Sequence, residues 1–425
     1  MINSNNKLWI KLYPWLMWLV AAGFFFYKYL IQVSPSVMTH ELMQTFHVNG
    51  AGLGNLSAFY FYAYLIMQIP VGLLLDKYSL KLLATFAIFL CSLSTLLFAQ
   101  TDSLALACVS RAMMGIGASF AAVSCFKLTS QWFAPKYFAL ISGMFMTAAM
   151  LGAVGGQMPL SLLVHDIGWR AALNVIGFIG IGLGCLYFVI IKDQQQLQPM
   201  KNNFIKEQSK FSQLPLIRIL FNKQTWWLSL YSGLAFAPVS VFGGLWGVPF
   251  LQTAYNLSSS DAALAVSCIF IGFAFGAPML GWLSDVIGRR KPILFTGTFV
   301  AIICLTIVIY SNTHSLYVLI VLLFIFGFGA SGFFTSFAMI REVFPLWLAA
   351  TVLGFMNTFN SICEALYEPL VGIVLDMTSL KTKANVIHQF SIENYHAALL
   401  ILPLSLFLAI IFLFFIKETY CKPNS

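Results

Sequence analysis

Charge is what this sequence has least of. Only 9% of its 425 residues are Asp, Glu, Lys or Arg, against about 25% in an ordinary soluble protein. That is too little to clothe even one water-facing domain, let alone the two or three that this length otherwise implies. A water-soluble enzyme and a nucleic-acid binder are therefore excluded. The eight cysteines build no framework: Cys91, Cys108, Cys125, Cys185, Cys268, Cys304 and Cys363 fall in apolar stretches, Cys421 lies in the tail, and no CxxC spacing occurs. They read as small core residues. No span contains an HExxH or DDxxD pattern or a Ser with a His at helical spacing, and a GxxxxGK[ST] loop is missing, so nothing points to an enzyme, a cofactor, a metal or an ATP-driven pump. What abounds is apolar surface: 60% hydrophobic, 16% aromatic and a mean hydropathy of +0.86. The solvent is lipid.

A bilayer core of ~30 Å takes about 20 apolar residues per helix. Cutting the sequence at its polar punctuation leaves twelve segments: roughly 15–37, 51–75, 82–100, 104–126, 138–163, 172–191, 225–251, 261–283, 293–310, 315–340, 347–375 and 394–416. The first is longer than the h-region of a signal peptide and lacks a small-residue cleavage site after it, so it counts as a mature helix. The fold class expected is an all-α membrane protein. With twelve spans both termini share a side, and seventeen of the 23 Lys and Arg residues fall on that side, against Arg170, Lys381 and Lys383 on the other. The positive-inside rule then puts both termini in the cytoplasm, and the basic balance needs no acidic partner. Lys28, Arg111 and Lys127 remain, within or near the ends of spans.

The longest polar stretch, 192–224, follows the sixth span and reads as a cytoplasmic linker, either solvated or lying on the inner leaflet. It splits the chain into 1–191 and 225–425, six spans each, and the halves repeat. Gly72-Leu-Leu-Leu-Asp76-Lys77 returns 209 residues later as Gly281-Trp-Leu-Ser-Asp285, followed by Gly288-Arg289-Arg290-Lys291. Ser142-Gly143-Met144 in span 5 returns 211 residues later as Leu353-Gly354-Phe355 in span 11. Two elements at nearly one offset mark an internal duplication.

These pieces resemble the major facilitator superfamily of transporters over essentially the whole chain. Gly281 to Lys291 matches the family's GxLxDxxGRRK loop; the first copy departs from it, with Ser79 in place of Gly and only Lys81 left of the basic cluster. Arg111-x-x-x-Gly115-Ile-Gly117, Trp132-Phe133-Ala-Pro135, Gly168-Trp169-Arg170 and Gly244-Leu-Trp246-Gly-Val-Pro249 follow in the family's order. The resemblance implies two six-helix bundles around a central cavity, rocking to open it to each side in turn. Glycine at positions 72 and 281 permits close helix approach, and Asp76, Asp285, Arg289 and Arg290 are expected as a cytoplasmic gate.

An ionised side chain in mid-membrane costs at least about 2.5–3.5 kcal/mol on insertion scales, so each one is a functional candidate. Glu364 and Glu368 lie one turn apart on one face of span 11. They cannot both ionise cheaply, and one of them is expected to carry a proton. Lys28 in span 1, with Gln32 a turn on, is their expected partner or the site for a substrate carboxylate. Gln157 is the repeat counterpart of Glu368, 211 residues earlier. Asn357 and Asn360 extend the stripe of span 11, and a polar stripe belongs on the cavity rather than on lipid. Tyr60 and Tyr64 share a face with Gln68 in span 2 and suit a cavity wall. Arg111 matches the family arginine of span 4, linked there to proton coupling. Trp226 and Trp227 read as an interfacial belt. All six histidines, His40, His47, His165, His314, His388 and His396, fall on the non-cytoplasmic side.

The function expected is a secondary transporter of the bacterial inner membrane, importing a small polar organic solute (amino acid, nucleoside or organic anion) with H+. Its partners are that solute, the proton and membrane lipid, and the chain is expected to act as a monomer. Span 5 keeps Gly143, Gly152 and Gly156 of the antiporter pattern, but Gln157 stands where its proline belongs, which favours uptake. The Tyr27-Lys28-Tyr29 to Met38 stretch and the Leu245-Trp246-Gly247 stretch resemble bacterial nutrient-uptake carriers, including the phagosomal transporters. A siderophore carrier, an efflux antiporter and a non-transporting sensor of the same fold are the alternatives.

Overall fold

The structure is a computed structural model that describes residues 4–134, 137–193, 219–311, 315–344, 348–379 and 390–421. Twelve long helical stretches run through them. In the first half these are Ser4–Val33, Gly50–Lys77, Leu80–Gln100, Leu104–Trp132, a broken pair Phe138–Gly155 and Met158–Ile167, and Trp169–Ile190. The second half holds Lys223–Val241 continuing into Gly247–Tyr255, Ser259–Ile287, Lys291–Tyr310, Leu316–Ala330 with Phe334–Val343, Ala349–Ser379, and Ile392–Leu399 with Ile401–Phe415. They are spans 1 to 12 below. Ten are long and apolar enough to cross a membrane; the other two, spans 2 and 11, carry the Tyr60–Gln68 and Asn357–Glu368 stripes. The fold is the all-α, twelve-span architecture that the polar punctuation implies.

The start of span 1, the end of span 12 and the described residues at either side of the linker lie on one face, the linker face. Tyr13 OH donates to the Ile190 carbonyl at 2.5 Å, and Gln224 meets the last span through the Phe415 carbonyl and the Lys417 N–H. Ser79, the departure in the first loop, caps span 3 by accepting from Leu82 N–H at 3.1 Å and donates to Asp193. Trp227 stacks on Phe412 and Phe415 at that face.

Five spans are interrupted, and four of the interruptions, including the turn at Leu400 in span 12, lie toward the opposite face. Span 1 runs into a 3-10 turn at Ser34–Val37, where Pro35 lacks an N–H to continue the α-helix. Span 5 breaks at Gly156 and Gln157 and restarts with Pro159 in its first turn. Span 7 widens into a π-helical stretch at Phe242–Trp246. Span 10 tightens at Ser331–Phe333.

Within each bundle glycine sets the packing distance. A side chain on Gly115 would overlap the Tyr60 backbone, and one on Gly327 the Ile269 backbone. Because lipid gives no hydrophobic drive between helices, such close approach and its dispersion contacts carry the association.

Candidate functional site

Two seams join the bundles, and the repeat relates them. Spans 2 and 11 meet where the Gly50 and Gly372 backbones touch and where a side chain on Gly54 would run into the Glu368 carbonyl. Spans 5 and 8 meet through the Ser161 and Ser259 hydroxyls, 3.0 Å apart. Ser259 is 209 residues after Gly50, and Gly372 is 211 after Ser161, so the contacts occupy matching places. Both lie on the half away from the linker. On the linker half, by contrast, the repeat-related glycines Gly72 and Gly281, and Gly143 and Gly354, have open space beside them. The molecule is closed at the face opposite the linker.

Gln157 ties the closed half together. Its Oε1 accepts from Ser36 Oγ at 3.1 Å, and its Nε2 donates to the Gly243 carbonyl at 2.6 Å. That carbonyl lies in the π stretch of span 7, and such stretches perturb the regular backbone ladder and are often found at functional sites. Beside it Trp246 is 1% exposed and donates its indole N–H to the Glu368 carbonyl at 3.1 Å. Above Trp246 a cavity of about 430 Å³ opens outward, lined among others by His40, Glu41, Gln252 and Tyr395.

At mid-depth the charges converge. Lys28 is buried, donates to Gln32 Oε1 at 2.5 Å, and lies 3.7 Å from the Tyr29 ring centre and 5.2 Å from that of Tyr64. Tyr60 and Tyr64 stack with ring centres 6.2 Å apart. Across the interface Glu364 is buried within electrostatic range of Lys28, with Ser240 beside it. Asn357 and Gln68 flank the Tyr64 hydroxyl. A void of about 10 Å³ lies among Tyr29, Gln32, Ser240, Phe236 and Phe270.

A turn away, Glu368 is 2% exposed and faces Ser57, Arg111 and Glu364, and its Oε2 accepts no hydrogen bond among the described residues. Arg111 is equally buried. Its guanidinium donates to the Ile31 and Ser57 carbonyls at 3.1 and 3.4 Å and lies over the Tyr60 ring. It thus staples spans 1, 2 and 4 together and turns its charge toward Glu368 from behind them.

The expected site residues therefore fall into groups. Lys28, Gln32, Tyr64, Asn357 and Glu364 come together between the bundles; Arg111, Tyr60 and Glu368 form the adjoining layer; Gln157 sits on the other seam. Asn360 turns away from this stripe and accepts from Ser232 Oγ at 2.8 Å inside the second bundle. Lys127 donates to the Leu75 carbonyl within the first. Of the gate residues, Arg290 donates to Asp285 at 2.5 Å and to Glu342 at 2.7 Å, all within the second bundle. Burial works against its charge, but the hydrogen bonds it donates to Glu342 and Asp285 outweigh that and hold it above the usual arginine range. Arg289 lies over the Tyr420 ring. The side chain of Asp76, and His314 and His388, lie outside the described residues.

Three contributors escape a reading of the sequence: Glu342, Asp376 and Glu418. Glu418 accepts from the Arg290 and Lys291 N–H groups, both at 2.9 Å, and so caps span 9. Each sits at a helix end or in the tail, where a charge costs little and draws no notice.

Two repeat-related six-helix bundles enclosing buried charges are the architecture of a membrane transporter. The family model of the Major Facilitator Superfamily matches residues 16–250 and 228–424, and the chain belongs to that superfamily. Among its relatives is a protein described as a probable L-galactonate transporter of Escherichia coli K12, 24% identical over 368 residues, covering 83% of this chain and 81% of that one. The probable galactarate/D-glucarate transporter GarP of the same organism is 24% identical over 385 residues, covering 82% and 85%. Among solved structures, a bacterial homologue of the human lysosomal transporter Spinster, inward-facing and occupied, shares the fold with a TM-score of 0.77 at 15% identity, covering 95% of this chain and 97% of that one.

Proposed function

We propose that this protein imports a small organic anion, of the polyhydroxylated carboxylate kind, together with H+ across the bacterial inner membrane by alternating access. The linker face is then cytoplasmic, and the closed half is the outer gate. One observation carries the reading: a buried lysine on the first bundle faces a buried glutamate on the second. Lys28 has two candidate partners and one charge. While Glu364 is ionised it satisfies Lys28, and an incoming carboxylate meets net repulsion. A proton on Glu364 frees the ammonium for the substrate, and Tyr64, Gln32, Asn357 and Ser240 offer hydrogen bonds to hydroxyls. Substrate and proton then enter together because each removes the penalty of the other.

Glu368 serves the gate. Its repeat counterpart Gln157 bridges the bundles with an amide that both donates and accepts. A carboxylate only accepts, whereas a protonated carboxyl has the amide's capacity for both. Protonated Glu368 therefore suits the closed outer seam, and its deprotonation toward the cytoplasm resets the cycle. The names of the hexonate and hexarate relatives support the solute class, and the lysine supports its charge. The transporting unit is taken to be one chain, which contains both bundles.

The test is uptake into proteoliposomes of labelled hexonates, hexarates, amino acids and nucleosides, with and without an inward proton gradient. Gradient-driven accumulation of a sugar acid is expected. Accumulation of a neutral nucleoside alone, or uptake indifferent to the gradient, would overturn the reading.

A further inference from the structure

The first turn of span 2 borrows its caps from the other bundle. A helix leaves its first N–H groups without intrahelical partners. In span 2, Asn49 Oδ1 accepts from Gly52 N–H at 2.9 Å, but Gly50 and Ala51 donate to the two carboxylate oxygens of Asp376, at 2.8 and 2.7 Å. Asp376 belongs to the end of span 11. Bonds to a carboxylate are roughly twice as strong as neutral ones, and this one sits at the positive end of the helix dipole.

The matching seam is built differently. Span 8 is capped from its own flanking residue, Ser258 Oγ accepting from Asp261 N–H at 3.1 Å. The position 211 residues before Asp376 is His165, which is exposed and pairs with its neighbour Asp166. The carboxylate at 376 is thus an addition to one seam rather than a feature shared by the repeat. It reaches the span 2 amides because glycine at 50 and 372 brings the backbones into contact. Any motion that opens this face separates Asp376 from Gly50 and Ala51, so both bonds exist only while the face is shut.

We propose that Asp376 is the latch of the outer gate, a positioning residue that biases the transporter toward its outward-closed state. The proposal goes beyond the solute and proton site and rests on the transport reading only for its purpose, since its test needs no solute. The experiment is hydrogen exchange, read by mass spectrometry, on the full chain in lipid nanodiscs, for wild type, Asp376→Asn, Asp376→Ser and the control Asp166→Asn. With the latch weakened, exchange should quicken about tenfold at 50–53 and also at the distant seam, 158–163 and 259–263. Asp166→Asn should leave both seams as in wild type. Two outcomes overturn the proposal: faster exchange confined to 50–53, which marks a local cap, and unchanged exchange throughout. The two Asp376 variants provide independent chances of obtaining folded protein, and either alone decides the matter.

Discussion

Gln157 and Glu368 stand 211 residues apart at matching places in the two bundles, and only one of them can change charge. Gln157 donates across the closed seam to the Gly243 carbonyl and accepts from Ser36 within its own bundle, while Glu368 keeps an oxygen that accepts no hydrogen bond among the described residues in a buried place. Removing the ionisable group should therefore freeze the proton step without dismantling the gate. In Glu368→Gln, accumulation driven by a proton gradient should fall at least about tenfold, while exchange of labelled for unlabelled solute across the membrane continues. Counterflow and gradient-driven uptake measured on the same vesicles separate the two; accumulation at the wild-type level in the variant would remove Glu368 from coupling.

Lys28 donates to one neutral oxygen, lies beside two aromatic faces and has Glu364 within electrostatic range, so once Glu364 is protonated its charge is available to a carboxylate. Lys28→Met preserves the stem and deletes the ammonium. Truncating one partner of a buried charge pair costs about 2–5 kcal/mol, so affinity for the anion should weaken by roughly thirtyfold or more. Competition binding with a sugar acid and with its neutral lactone gives the check. The variant should lose preference for the acid, and an undiminished preference would place the anion elsewhere.

The buried charges were legible because the bilayer makes them rare: seven ionisable or amide residues stand out in spans 1, 5 and 11, and six of them, all but Asn360, lie across or along the seams. The repeat was legible through its glycines. What the helical period does not settle is which neighbour a polar residue meets. Asn357, Asn360, Glu364 and Glu368 make one stripe on paper, yet span 11 is flanked by span 2 on one side and span 7 on the other. Asn360 therefore turns to Ser232 while Asn357 lies beside Tyr64. The π stretch at Phe242–Trp246 has no residue signature of its own, and Asp376 lies one residue beyond the segment that hydropathy marks as span 11.

The glycines of the two halves of the molecule should respond in opposite ways. Gly54→Val places a branched side chain against the Glu368 and Pro369 backbone, so the seam closed here cannot form. Overpacking of this kind costs about 1–3 kcal/mol. Gly72→Val meets open space in this state and should disturb only the state in which the linker half closes. Accessibility of the outer vestibule to a membrane-impermeant reagent, at a cysteine placed at Gln252, should rise in the first variant and fall in the second. The same sign of change in both would contradict the assignment of closed and open halves.

The Arg290 cluster is a structural prediction that needs no substrate. One guanidinium, buried to 9% exposure, holds Asp285 at 2.5 Å and Glu342 at 2.7 Å, and Thr419 in the tail donates to the second oxygen of Glu342 at 2.5 Å. Deleting the cation leaves two carboxylates facing each other with no positive charge between them. Breaking such a pair by removing one partner costs on the order of 3 kcal/mol. Arg290→Lys should recover little, because a single ammonium cannot fork between two acids. Arg290→Ala with Glu342→Gln should recover more, since it removes the unpaired charge rather than replacing the lost one. Thermal unfolding of the purified variants orders them as wild type, double variant, single variant. A double variant no more stable than Arg290→Ala would mean that Glu342 is not the partner whose charge matters.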